Sequence, residues 1–350
     1  MSETRSRQLP PIRMLILGLT GRCNFACVYC YAHKQPQETM SFDTARRAID
    51  LAATGGQPFV LQFSGGEPLL AFDLLTEIVA YVKQRKLPAI LQIQTNASLL
   101  DRSKALLLRD RQIGVGISLD GRPSENDAQR KLPDGGGTSR LILAGAAVLA
   151  SVGVETGITC VVTDVNVRHL AGIVEMAYYL GNVRKIGFDL LRAQGRGVGV
   201  KAASTADLAS ALREVLATAE RLERQTGRSL IFSHRERVHA LNMQCGGGFA
   251  HCHAMNGEAA FVDASGAIYA CASLSSFPEF RLGDVKNGID PERLKQIAAG
   301  IRDGMSFCPQ CDAFSLCGGA CFARWYGAGC ATEPYLPECT LKRAFIRDFQ

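Results

Sequence analysis

Arg22-Cys23-Asn24-Phe25-Ala26-Cys27-Val28-Tyr29-Cys30-Tyr31-Ala32-His33 follows directly on an apolar, strand-like run, Met14 to Leu19, and carries three cysteines spaced Cys23-x3-Cys27-x2-Cys30. Three thiolates at that spacing on a loop hold three corners of an iron-sulfur cube. The fourth iron is left without a protein ligand, and an open position marks a catalytic metal site rather than a structural one. A zinc knuckle or a few buried cysteines compete with this reading, but zinc sites usually show paired Cys-x2-Cys or a downstream histidine.

Outward from that loop, short β-branched runs alternate with helical ones. The pattern predicts strands at 13–20, 58–64, 89–96, 114–120, 155–163 and 185–191. It predicts helices near 42–53, 72–86, 103–111, 139–152, 167–180 and 205–226, where apolar residues such as Leu74, Leu75, Ile78, Val79 and Val82 recur at three and four residues. Ser41 supplies capping chemistry for the first helix. Six strand-helix units with right-handed crossovers make an α/β fold, a partial (β/α)6 TIM-like barrel, whose chemistry belongs at the carboxyl ends of the strands.

With Tyr29 just before its last cysteine, the opening stretch resembles the radical S-adenosylmethionine (SAM) enzymes. Motifs at successive strand ends extend the resemblance. Ser64-Gly65-Gly66-Glu67-Pro68 is similar to the family's Gly-Gly-Glu-Pro, whose backbone receives the SAM amino group. Thr95-Asn96 stands where the family reads Thr-Asn-Gly, with Ala97 in place of the glycine. Ser118-Leu119-Asp120-Gly121 matches a further family motif, which implies Ser118 at the SAM ribose or carboxylate. Asp120 reads equally as a substrate ligand and as a turn cap. Arg130 and Arg140 are two candidates to pair with the SAM carboxylate, since arginine suits bidentate binding. The glycine- and arginine-rich loop Arg192 to Gly199 reads as a mobile lid.

The composition shifts at Cys245: nine of the thirteen cysteines lie in the last 106 residues. Cys252-x13-Gly266-x4-Cys271 spans an apparent hairpin, Ala259 to Val262 and Ile268 to Ala270, and is followed by Cys308-x2-Cys311-x5-Cys317-x3-Cys321 and Cys339. The pattern resembles the SPASM extension of radical SAM enzymes, which carries auxiliary iron-sulfur clusters and commonly acts on peptides. Carried over by position, the resemblance implies Cys245, Cys252, Cys271 and Cys321 around one auxiliary [4Fe-4S] cluster, and Cys308, Cys311, Cys317 and Cys339 around a second. Zinc ribbons are the competing reading for the Cys-x2-Cys pair. Cys160 reads as a buried hydrophobe, Cys330 as a possible hydrogen-atom donor, and His33, His251 and His253 as neighbours able to tune a cluster. The expected organisation is a polar tail at 1–12, a radical SAM core at 13–232 and a SPASM domain at 240–350.

Hydrophobic content of 47% suits a sizeable core, and the longest mostly apolar run, Leu141 to Val154, is too short to span a bilayer. No export signal precedes Pro11, so a cytoplasmic, membrane-free protein is expected. The formal charge of +6 falls to about +1 once eleven thiolates hold three cubane cores, so nucleic acid is not an expected partner. The resemblance implies an oxidoreductase in which a 5′-deoxyadenosyl radical takes a hydrogen atom from a ribosomally made peptide, installing a crosslink, thioether or other change. An electron donor such as flavodoxin or ferredoxin is an implied partner; because the first strand begins near residue 13, either a separate leader-binding protein serves the substrate or the substrate is recognised otherwise. An anaerobic sulfatase-maturating enzyme is the alternative; that group carries an aspartate directly after the cysteine of Gly-x4-Cys, where this chain has Ala272. A non-catalytic zinc or iron-sulfur module is the alternative of another class.

Overall fold

The computed structural model describes residues 9–244, 248–250 and 252–346. Cys245, His251 and the first eight residues of the tail lie outside them. Six parallel strands, β1 (Met14–Gly18), β2 (Phe59–Ser64), β3 (Ala89–Thr95), β4 (Gly114–Ser118), β5 (Thr156–Val162) and β6 (Val183–Leu190), lie side by side in chain order. The helices between and after them are α1 (Phe42–Ala53), α2 (Phe72–Gln84), α3 (Arg102–Asp110), α4 (Pro123–Gln129), α5 (Ser139–Ser151), α6 (Ala171–Leu180) and α7 (Thr205–Thr226). The partial barrel expected from the alternation is therefore present, and it is not closed.

Alternation along the strands decides which face does what. Leu15, Leu17, Phe59, Leu61, Phe63, Ile158 and Val162 are buried, and each such apolar side chain contributes about 1.5–3 kcal/mol by leaving water. The intervening positions are more open and, in β3 to β5, include polar side chains: Gln94 donates to Ser118 Oγ at 3.0 Å and accepts from Thr159 Oγ1 at 3.2 Å, a ladder across the three strands. A polar lining on the concave face leaves room for a ligand where a closed barrel would pack side chains.

The cysteine-rich region joins the same sheet. Strand β7 (Ile231–Phe232) extends it beyond β6, helix α8 (Ser233–Gln244) follows, and β8 (Ala259–Val262) pairs parallel with β1, Met14 opposite Ala259. Strands β9 (Ala267–Tyr269), β10 (Arg281–Asp284) and β11 (Gly288–Ile289) continue antiparallel, giving one sheet of order β11-β10-β9-β8-β1-β2-β3-β4-β5-β6-β7. The expected hairpin is thus β8–β9, turned by Asp263, whose Oδ1 accepts from Ser265 and Ala267 N–H, and by Gly266 at φ +91°. Helices α9 (Pro291–Gly304), α10 (Phe314–Cys317), α11 (Phe322–Gly327) and α12 (Leu336–Ile346) complete the chain.

Helices α1 and α7 have the bounds that spacing predicts, and Ser41 caps α1 by accepting from Thr44 N–H, a contact worth about 1 kcal/mol. The helix expected at 167–180 begins as a 3-10 turn, Val167–His169, before α6. Helix α8 was not predicted because its sequence, SHRERVHALNMQ, carries no apolar stripe.

Candidate active site at the strand ends

The loop after β1 is fastened from three sides. Gly66 N–H donates to Thr20 O at 2.7 Å and Glu67 N–H to Arg22 O at 2.9 Å. This approach requires both glycines: a Cβ on Gly65, which sits at φ +128°, would fall 2.3 Å from Thr20 O, and one on Gly66 would fall 2.1 Å from Arg22 O. Ala26 and Val28 N–H donate to Lys131 and Gln129 carbonyls at the end of α4, at 2.6 and 2.9 Å. From the β6 side, Arg196 donates its backbone N–H to Cys30 O at 3.1 Å and its Nε to Cys27 O at 2.9 Å. The loop 192–199, expected to be a mobile lid, is thus a clasp on the cysteine loop; Gln194, 4% exposed, ties its other side to Ala323 O at 2.9 Å.

Cys23, Cys27 and Cys30 all line one cavity of about 200 Å³. Cys23 is exposed as a residue, yet its Sγ accepts from Phe25 N–H and faces that cavity. Burial pushes the Cys23 thiol up to about 12, and Cys27 also rises by burial, partly offset by Arg130. Thiols this reluctant to ionise give up their protons to a metal, which makes binding and assembly one event.

The remaining expected residues meet the same cavity. Ser64, Gly65, Gly66, Glu67, Asn96, Ser118 and Arg130 are on its wall. Glu67, 1% exposed, accepts from Thr95 Oγ1 at 2.6 Å, from Leu69 N–H and from Asn96 N–H at 2.8 Å, so its carboxylate binds the ends of β2 and β3 together. Burial outweighs those bonds and raises Glu67 to about 7. Between pH 4.5, its ordinary value, and about 7 the folded chain keeps a proton that the unfolded chain has lost, so this group's contribution to stability falls as pH rises through that window. Glu67→Gln is expected to remove that slope, roughly 3 kcal/mol across the window. Urea unfolding of both proteins at several pH values checks it. Buried His234, lowered to about 3, slopes the opposite way in parent and variant alike, so the difference between them isolates Glu67.

Ala97 holds φ +63°, the left-handed backbone for which glycine is the ordinary residue. Alanine takes that backbone at a cost of about 1–2 kcal/mol.

Two expectations change. Asp120 is fully buried and off the cavity wall: its carboxylate accepts from Tyr29 Oη at 2.5 Å, Arg130 Nη2 at 3.0 Å and Val161 N–H at 2.8 Å. It has no free oxygen with which to bind substrate, and it positions Tyr29 and Arg130 instead. Arg140 is exposed on α5 and does not reach the cavity. Of the two arginines, only Arg130 does.

Tyr29 and Tyr31, the neighbours of Cys30, are held in parallel fashion. Arg130 lies over the Tyr29 ring at 5.5 Å and pairs with Asp120. Arg192 lies over the Tyr31 ring at 5.1 Å and pairs with Asp189 at 2.5 Å. Tyr31, Asp189 and Arg192 also line the cavity and were not singled out from sequence. Asp189 is further bridged by Arg324, which holds Glu338, 1% exposed, on α12. Burial alone would raise Asp189, but the two guanidinium groups hold it well below the usual carboxylate range. The Asp189–Arg324 pair joins residues 135 positions apart, a separation no local pattern discloses.

Apart from Cys245, which lies outside the described residues, the C-terminal thiols that the resemblance groups together are electrostatic neighbours. Cys271 and Cys321 act electrostatically on Cys252, and Cys308, Cys311 and Cys317 act on Cys339. Burial is the main cause of both shifts, raising Cys252 to about 12 and Cys339 to about 11. Among the described residues no three His, Cys, Asp or Glu side chains converge closely enough to hold one metal ion, whose thiolates would each sit about 2.3 Å from it. The corners of a cubane hold thiolates farther apart than one ion does. Cys160 is buried within β5, Cys330 is not on the cavity wall, and His253 pairs with Glu258 at 3.2 Å. His33 Nδ1 is buried beside Gly195 with no hydrogen-bond partner among the described residues.

The Radical SAM superfamily profile matches residues 17–177. An uncharacterized protein of Methanocaldococcus jannaschii, MJ0907, is 33% identical over 296 residues, 83% of this chain and 96% of that protein. The cysteine-type anaerobic sulfatase-maturating enzyme of Clostridium perfringens is 30% identical over 176 residues, 46% of this chain, which spans about half (47%) of that protein's length. The solved structure of native anSMEcpe with bound AdoMet and Cp18Cys peptide superposes with a TM-score of 0.78 at 23% identity, over 97% of this chain and 96% of that one.

Proposed function

The chain belongs to the radical SAM superfamily, and from that premise we propose that it modifies a peptide, abstracting hydrogen from a ribosomally made substrate to install a crosslink, thioether or other side-chain or α-carbon change. As a member it is an enzyme that uses a [4Fe-4S] cluster and SAM, which sets aside the non-catalytic alternative. Cys23, Cys27 and Cys30 would hold the cluster, and the Ser64–Glu67 edge, Asn96, Ser118 and Arg130 would hold SAM. When bound, these groups supply a 5′-deoxyadenosyl radical. The chain's own residues orient and enclose: the glycine edge fixes the cysteine loop, and the Asp120 tie holds Tyr29 against Arg130. The polar ladder of Gln94, Ser118 and Thr159 supplies hydrogen bonds on the concave face, where a bound substrate would exclude water and competing hydrogen donors.

The observation that carries the peptide reading is the far wall of the cavity. Tyr31 and Arg192 stand near Cys30 on one side and Cys271 and Cys321 of the second thiol set on the other, and Asp189, which pairs with Arg192, is also ion-paired to Arg324 of the cysteine-rich region. A substrate at this wall lies between the radical site and thiols able to hold an electron-accepting auxiliary cluster. The likeness to a fold that binds a peptide together with AdoMet supports it. An external one-electron donor such as flavodoxin or ferredoxin and, for substrates with a leader, a separate binding protein complete the proposed partners. The test pairs a peptide pool with a metabolite pool, each added to anaerobic enzyme, SAM and reductant. Peptides are expected to stimulate 5′-deoxyadenosine release and to change mass; stimulation by metabolites alone would overturn the reading.

Sulfatase maturation is the second reading, favoured by the Clostridium perfringens relative. Against it, Ala272 occupies the position where that group carries an acid. It is 9% exposed, opens a 3-10 turn and lies off the cavity wall.

A further inference from the structure

The guanidinium of Arg192 is only half used. Its Nη1 pairs with Asp189 Oδ2 at 2.5 Å and its plane covers Tyr31, while Nε is buried without an acceptor and Nη2 has no partner among the described residues. The side chain keeps 15% of its surface, and it lines the cavity. Asp189 cannot serve the open edge, because its other oxygen is taken by Arg324. Nε, buried like that of Arg130, Arg228, Arg235 and Arg324, is closed to a ligand, which leaves Nη2 as the free donor on the cavity side; a guanidinium N–H given to a carboxylate oxygen is among the stronger hydrogen bonds. Resting on the peptide reading above, we infer that Arg192 is a substrate-binding residue that takes a carboxylate of the peptide, an Asp or Glu side chain or the C-terminus, and so sets which residue of the substrate stands over the radical site.

The position argues for the substrate's carboxylate rather than that of SAM. The SAM-type motifs occupy the ends of β2, β3 and β4, and Arg130, which follows β4, already offers a guanidinium there. Arg192 follows β6, two strands beyond, against the cysteine-rich region. Its stacking on Tyr31 and pairing with Asp189 fix the guanidinium before ligand arrives, so little side-chain freedom is lost on binding.

The test selects random peptides from a displayed library on full-length, anaerobically reconstituted, SAM-loaded enzyme. Retained peptides are expected to carry Asp or Glu at one fixed position or to require a free C-terminus, a choice settled by resynthesis with Asn or Gln, or with a C-terminal amide. Arg192→Gln is expected to weaken that acid preference roughly ten-fold to hundred-fold, Arg192→Lys to keep part of it, and exposed Arg140→Gln to keep all of it. The Michaelis constant for SAM in substrate-free cleavage is expected to stay unchanged. Peptides retained without acid preference, or an Arg192→Gln enzyme that keeps the preference, would overturn the inference. So would a raised constant for SAM with peptide selection intact, which would assign Arg192 to SAM. Wild-type enzyme that cleaves SAM yet retains no peptide would instead bring down the peptide reading itself.

Discussion

The Cys27→Ala enzyme, reconstituted anaerobically, is expected to release no 5′-deoxyadenosine while keeping about eight of about twelve irons per chain, the figures following from three cubane clusters. Two thiolates in place of three leave the cluster without a corner. The loop itself should persist, because Arg196 Nε holds the Cys27 carbonyl, not its side chain, and Gly66 and Glu67 hold the loop's start. Cys252 and Cys271 flank the β8–β9 hairpin and the later thiols lie in the segments around α10–α12, so their iron should be indifferent to the change. Iron analysis with chromatography of the nucleoside products reads both effects. Loss of all iron together would mean that the thiols are wrongly divided; retained cleavage would mean that Cys27 is not a ligand.

Asp120→Ala is expected to destabilise the fold by about 3–5 kcal/mol, the usual consequence of leaving a buried cation without its partner. Arg130 is 6% exposed and Asp120 not at all, and the same carboxylate also serves Tyr29 and the Val161 amide. Asp120→Asn keeps the shape and part of the bonding and should lose less. Removing both charges, as in Asp120→Asn with Arg130→Met, should restore part of the loss, because a buried pair replaced as a pair costs little. Denaturant unfolding of the three variants measures this. A double variant no more stable than Asp120→Ala would show that the Tyr29 bond, and not the ion pair, carries the effect.

How far the sequence disclosed the molecule follows from how local each cause is. The cysteine loop, the glycine edge and the amphipathic helices α1, α2 and α7 are written in spacings of a few residues, and they stand where those spacings place them. The β8–β9 hairpin was legible from its turn chemistry. The two arginines of one polar segment looked alike: only the chain's passage through α4 returns Arg130 to the cavity and leaves Arg140 on the outer face of α5. Asp120 was even between two roles and has a third, because its partners come from the cysteine loop, the end of α4 and β5. The Arg192–Asp189–Arg324–Glu338 chain was invisible, since it forms only when β6, α11 and α12 meet. The glycine-rich loop misled for a related reason: its composition suits mobility, and its close packing against Cys30 and Tyr31 is what the glycines serve.

The most direct test of the central claim is the metal content of the wild-type protein purified anaerobically, followed by incubation with SAM and a strong reductant. About twelve irons per chain together with release of 5′-deoxyadenosine is the predicted result. Zinc in place of iron, with SAM left intact, would contradict it.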